Sequence, residues 1–259
     1  MVSQRTAITG STLVRLLARL TQVDAADAPQ VFTEQLGQWI GWAEAIPLSA
    51  ALSATGTVQP MEDGVWRADA EHARRTHEQL DREIADEALP PVRRGRQPSL
   101  HGIPLPPPVP DFGTWRRRYQ TRQQAFDNAI APLRAQLRQT LAATSAEGAK
   151  LAAVDQVMER VLALQERQWL AGVPGLLEKH HERLRQAAEA EAPTPAGAAE
   201  PPWVRRFVQD MQHLLRAELE FRWQPIAGLL AALQNDRQAA RPNAPPRAAD
   251  NATPEEQNP

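Results

Sequence analysis

Seventeen of the 23 prolines fall into three short stretches, and these divide the chain before any other property is weighed. Eight lie in residues 90–110, four in 193–202 and five in 242–259 of the 259 residues. Proline lacks an amide donor and its ring collides with the preceding helical turn, so these stretches are spacers or tail. Between them, apolar residues recur at three- and four-residue steps, and no alternating run marks a strand. The expected fold is all-α: a short N-terminal helical cap at 10–56, an acidic solvent-facing helix at 62–89, a proline-rich linker at 90–110, an elongated bundle of long, proline-kinked antiparallel helices at 111–238 and a disordered tail at 239–259. From Ala240 onward there is no large apolar residue to support a core.

In the cap, Ser11 is placed to cap a helix with Leu13, Leu16, Leu17 and Leu20 on one face. Asp27 is placed to cap a second, with Val31, Phe32, Leu36, Trp39 and Ile40 inward, and Pro47 opens a third short segment through Leu52. These three pieces are expected to fold as a compact antiparallel unit. The next helix differs in kind. Between Glu62 and Leu89 there are nine acidic residues and four arginines, and few large apolar groups beyond Val65, Trp66, Leu80 and Ile84. Such a helix buries little and belongs on the outside. The linker that follows reads as extended polyproline, and Pro104-Leu105-Pro106-Pro107 has the spacing that aromatic-grooved peptide-binding modules recognise.

Three long helices then dominate. The first, about Asp111 to Ala143, aligns Trp115, Tyr119, Phe126, Ile130, Leu133, Leu137 and Leu141, with the spacing of a coiled-coil seam. The second, about Ala146 to Ala190, carries Leu151, Val154, Met158, Val161, Leu162, Trp169, Val173, Leu176, Leu177 and Leu184. The third, from Pro202 to about Gln238, carries Val204, Val208, Met211, Leu215, Leu219, Ile226, Leu230 and Leu233. A short break at Thr144 and Ser145 makes the first two an antiparallel hairpin. Each long helix holds one internal proline, Pro132, Pro174 or Pro225, and the flanking Gly172 and Gly175 mark Pro174 as the place for a bend or break.

Composition limits function. Leu, Ile, Val and Phe total 53 residues, about one in five, which is too little for a large enclosed enzyme core. The absence of cysteine removes disulfides, thiol nucleophiles and thiolate metal sites. There is no glycine-flanked nucleophile, phosphate loop or zinc-protease histidine pair, and no run approaches a membrane span. A soluble cytoplasmic protein is expected, with no catalytic residue, no cofactor and no bound metal.

Two constellations remain. Trp115, Arg116, Arg117, Arg118, Tyr119 and Arg122 form a basic patch with aromatic neighbours inside a stretch, 90–145, of nine arginines and two aspartates. Such interleaving suits single-stranded nucleic acid. The acidic helix at 62–89 could instead fold back along the same stretch and neutralise it, which explains both features together. The second constellation is Glu178 with His181 and Asp210 with His213, two carboxylate–histidine pairs at helical spacing, symmetric about the proline linker at 193–202. That is half of a ferritin-like metal site. The other half has no matching carboxylates, and solvated salt-bridging residues are the better reading.

The phrases Leu36-Gly37-Gln38-Trp39-Ile40-Gly41-Trp42, Ile46-Pro47-Leu48-Ser49-Ala50-Ala51-Leu52, Arg116-Arg117-Arg118-Tyr119, Pro132-Leu133-Arg134-Ala135-Gln136, Val173-Pro174-Gly175-Leu176-Leu177-Glu178 and the stretch from Ala217 to Leu233 resemble an uncharacterised proteobacterial family, domain of unknown function 3348. The resemblance runs over most of residues 10–236 and carries no catalytic signature. It implies gene neighbours that encode motor-stator or energy-transducing membrane proteins with peptidoglycan-binding partners, and hence a cytoplasmic helical accessory of an inner-membrane assembly. The expected function is a non-enzymatic helical interaction or scaffold protein, whose partners are further copies of the chain and a protein component of a membrane complex. Nucleic-acid binding through the six-residue patch is the first alternative, and a ferritin-like metal-binding bundle the second.

Overall fold

The computed structural model describes residues 12–21, 42–53, 63–86, 99–100, 103–104, 111–190 and 201–240. Within these residues the elements are α1 (Thr12–Thr21), α2 (Trp42–Ser53), α3 (Asp63–Ala85), β1 (Ser99–Leu100), β2 (Ile103–Pro104), α4 (Phe112–Thr144), α5 (Ala146–Ala171), α6 (Val173–Ala190) and α7 (Pro202–Ala240). The second cap helix built on Asp27 lies outside the described residues, as does the expected tail of 239–259 from residue 241 on, its first two positions belonging to α7. The strands form one antiparallel bridge, Ser99 with Pro104 and Leu100 with Ile103, in a linker expected to be extended throughout.

The bundle is up-down-up-down. Contacts between α4 and α5 descend one helix as they climb the other: Arg134 meets Asp155, and Gln123 meets the Leu170 carbonyl. Those between α4 and α7 rise together, Tyr119 with Glu218 and Thr144 with Asp236, so these two helices run parallel. α3 runs antiparallel to both, since Asp69 reaches Thr140 while Glu83 reaches Arg122, and His77 meets Glu220 while Asp81 meets Arg216. The acidic helix is therefore the first leg of the bundle. It docks through Ala73, Leu80 and Ile84 and turns its remaining charge outward. At ~1.5 Å per residue, the 39 residues of α7 span on the order of 60 Å.

All seven apolar positions expected along the first long helix are buried: Trp115, Tyr119, Phe126, Ile130, Leu133, Leu137 and Leu141. Asp111 caps that helix, accepting a hydrogen bond from the Thr114 amide at 3.1 Å. α7 touches α1, α3, α4, α5 and α6, so its buried arc is wider than one stripe and takes in Phe207, Leu214 and Leu229 as well. The helix continues through Pro225, as α4 does through Pro132.

The second long helix breaks at Gly172, in the region that Gly172, Pro174 and Gly175 mark for a bend or break, and Pro174 stands in the first turn of α6, where its missing donor costs nothing. Its inner face departs from expectation. In α5 the buried positions are Gly148, Ala152, Val157 and Leu170, whereas Leu151 and Trp169 are 45 % and 52 % exposed. Apolar residues surround α5 on several sides, so periodicity alone does not choose its inner face. Charge does. Asp155 and Glu159 turn toward α4 to meet Arg134 and Arg138, with Arg134 Nη2 2.7 Å from Asp155 and Arg138 Nη1 3.1 Å from it.

The described N-terminal helices dock at separate places. α1 lies on α6 and α7, with Leu13 and Leu20 buried, while α2 lies on α5. α2 begins at Trp42 and includes Pro47 in its second turn, five residues earlier than the proline-started segment expected from sequence. No helix among the described residues is long and apolar enough to cross a membrane.

Candidate functional site

The six-residue patch does not survive as one surface. Residues spaced by three or four share a helix face, so Trp115, Tyr119 and Arg122 point one way and Arg117 another. Trp115 and Tyr119 are each 1 % exposed and belong to the core, so neither ring is open for a base to stack on. Arg116 forms an ion pair with Glu178 and lies 5.5 Å over the Phe112 ring. Arg118 covers Trp115 at the same distance, and Arg122 meets Glu83 of the acidic helix at 2.7 Å. Arg117 is exposed.

Tyr119 alone of the six joins a buried polar network at mid-bundle. Glu218 on α7 is fully buried. It accepts from the Tyr119 hydroxyl at 2.6 Å, from Gln123 Nε2 at 3.0 Å, and from Arg222 at 3.0 and 2.8 Å. Arg222 also pairs with Asp127 on α4. Gln123 donates to the Leu170 carbonyl at 3.1 Å, beside the break between α5 and α6. Burial, followed by the Glu218 charge, pushes the Tyr119 hydroxyl well above its ordinary range. Burial also opposes the charge on Arg222, but Glu218 and Asp127 more than restore it. Glu166 on α5 is raised by its own burial, with Asp127 and Glu218 adding to the effect and Arg222 and Arg134 opposing it. Tyr119, Gln123, Glu218 and Arg222 are each hydrogen-bonded, so the arrangement fixes the register of α4 against α7. Sequence reasoning missed this network. The legible signals were the i,i+4 pair Glu218–Arg222 and a lone tyrosine on an apolar stripe, whose buried hydroxyl requires an acceptor.

The carboxylate–histidine pairs also part. His180, not His181, meets Asp210, with Nε2 at 2.8 Å from Oδ2. Burial opposes the charge on Asp210, but the His180 hydrogen bond and the His180, Arg206 and Arg19 charges hold it below its ordinary value. His181 turns inward among Phe207, Trp203 and Phe112, at ring distances of 4.9, 5.1 and 5.5 Å, and burial lowers its pKa. Glu178 is taken by Arg116, and His213 is exposed. Among the described residues no group of three or more histidines and carboxylates could hold a metal ion.

An open groove of about 730 Å³ lies at this end of the bundle, bounded by Phe112, Trp203, His181, Glu178, Glu182 and Arg185. Its acidic rim is partly offset by arginine. Arg185 bonds Glu182 at 2.7 Å and Glu189 at 2.7 Å, and hydrogen bonds from Arg185 and Gln186 hold Glu182 down to about 2.

Bundle and site together define an all-α protein whose polar chemistry is spent on holding helices together. The chain belongs to the family described as protein of unknown function (DUF3348), whose model matches residues 1–235. No curated protein and no solved structure matches it.

Proposed function

We propose that this chain is a non-enzymatic helical interaction protein that associates with further copies of itself through the layer formed by α2 and α5. The observation that carries this reading is where large apolar side chains remain exposed. Ile46 and Leu52 on α2 and Leu151, Leu164 and Trp169 on α5 are 45–70 % exposed, and the only others among the described residues are Val14 and Val65. Apolar residues gathered in one layer mark an association surface more often than scattered ones do. α2 strengthens the case: it is predominantly apolar, yet among the described elements only α5 is a substantial neighbour. Work as a cytoplasmic accessory beside an inner-membrane assembly is supported by the family resemblance.

Light scattering on the full chain tests the association. A mass well above 28.7 kDa is expected, reduced to that value by combining Ile46→Glu with Leu164→Glu while circular dichroism is unchanged. Exposed substitutions of this kind ordinarily change stability by no more than about 0.5 kcal/mol. A wild-type chain that stays monomeric at 100 µM, as an order of concentration that exposes weak association, refutes the reading.

A further inference from the structure

Two polar ties from α1 converge on one imidazole. Arg183 on α6 donates through Nη2 to the Leu20 carbonyl at the end of α1, and the same nitrogen lies 3.4 Å from His180 Nδ1. On its other side, His180 Nε2 is 2.8 Å from Asp210 Oδ2, while Asp210 Oδ1 is 4.0 Å from Arg19 of α1. Arg183 is a donor only, so Nδ1 must be the unprotonated acceptor and the ring proton must sit on Nε2, directed at Asp210. The imidazole is 8 % exposed.

We propose that His180 is a proton-operated latch for α1: with Nδ1 unprotonated, Arg183 stays on the Leu20 carbonyl, and a proton on Nδ1 releases it. A second ring proton sets an N–H against a guanidinium N–H, two donors with like charge and no acceptor between them. The imidazolium also draws on Asp210, the carboxylate near Arg19, and repels Arg19 itself. Both ties therefore loosen in the same direction. Among the described residues, the charged and titratable groups around the ring are Arg19 from α1, His181 and Arg183 from α6, and Asp210 and Arg206 from α7. Among these Asp210 alone favours the proton. The apolar side of α1, Leu13, Leu16, Leu17 and Leu20, does not titrate, so the proton biases an opening that those residues resist.

Native-state hydrogen exchange on the full chain tests this, with protection factors corrected for the intrinsic pH dependence of exchange. As the pH is lowered through the range in which NMR shows the His180 ring taking up its second proton, protection of the Leu16–Leu20 amides should fall. One linked proton allows at most about tenfold per pH unit. Protection of Phe126–Leu137 in α4 should fall less, by no more than protonation of buried His181 takes from the whole bundle, so the excess fall in α1 reads the latch. The midpoint of that excess should coincide with the ring titration of His180 followed by NMR. His180→Gln should remove the excess, and Arg183→Ala should lower α1 protection already at pH 7.5. No excess fall of α1 over α4 in the wild type, a midpoint that differs from the His180 titration, or an excess that survives His180→Gln would each overturn the latch.

Discussion

Gly148→Ala is the sharpest test of how the bundle is closed. Gly148 is the third residue of α5, and its amide donates to Ser145 Oγ at 2.8 Å. A Cβ placed there would lie 2.4 Å from the Leu141 carbonyl oxygen, 2.7 Å from Thr144 Oγ1 and 2.9 Å from Asp236 Oδ2. The carbonyl is backbone in the last turn of α4, and Leu141 is fully buried, so it cannot retreat without unwinding that turn. The other two atoms belong to a knot in which Thr144 and Ser145 bond Asp236 at 2.7 and 2.6 Å and so pin α7 to the corner. Overpacking costs roughly 1–3 kcal/mol. Losing one of the two bonds to the carboxylate adds about 1.5–3 kcal/mol, and alanine returns about 1 kcal/mol of helix propensity. The net expectation is a loss of roughly 3 kcal/mol, or about 6–12 °C in Tm for a chain of this size. Gly228 in the interior of α7 is the control. Nothing lies within 4 Å of its notional Cβ, so Gly228→Ala should gain up to about 1 kcal/mol. Thermal and urea unfolding followed by circular dichroism measures both. If Gly148→Ala is as stable as the wild type, or gains stability as Gly228→Ala does, then α4, α5 and α7 do not meet as described.

Two further outcomes follow from the buried titratable groups. Tyr119 is the only tyrosine, so the rise in absorbance at 295 nm with pH, above the constant tryptophan background, reports its ionisation alone. Its folded pKa is raised above the unfolded value, so its contribution to stability is full below about pH 10 and is lost as pH rises beyond. Tyrosinate should appear only together with unfolding, and a smooth titration near pH 10 in folded protein would count against the Glu218 network. His181 has a folded pKa below its unfolded value, so its contribution is present above about pH 6.5 and is lost as pH falls. Its Nε2 is buried without a partner among three aromatic rings, so His181→Phe should flatten that acid loss at little cost near neutrality, as measured by urea midpoints at pH 7.5 and 5. A variant that loses more than about 2 kcal/mol at pH 7.5 would show that the imidazole makes a bond the structure does not record.

Much of the helical layout is legible locally because helix formation is local. The stripe of α4 was readable residue by residue: seven large apolar side chains at bundle spacing sit on one face, and nothing competes with them. α5 was not, because its apolar residues surround it, and its rotation depends on Arg134 and Arg138, more than ten residues away on another helix. The metal-like pairs failed by one position. The symmetry of the linker brings residues near 180 opposite those near 210, but a one-residue step turns a side chain by about 100°, so His180 faces Asp210 and His181 faces Phe207.

The amino-acid sequence by itself determined the all-α class and the main helix boundaries, because proline and apolar period act within a few residues. It also determined that a basic and an acidic stretch lie close enough along the chain to meet. Only the tertiary structure decided that the acidic helix is a full leg of the bundle, that Trp115 and Tyr119 are core, and that Glu218 is the hub that Tyr119 shares with Gln123 and Arg222. The physical reason is that a charge or a ring on a helix has no assigned role until a second helix presents a partner at the same height and angle.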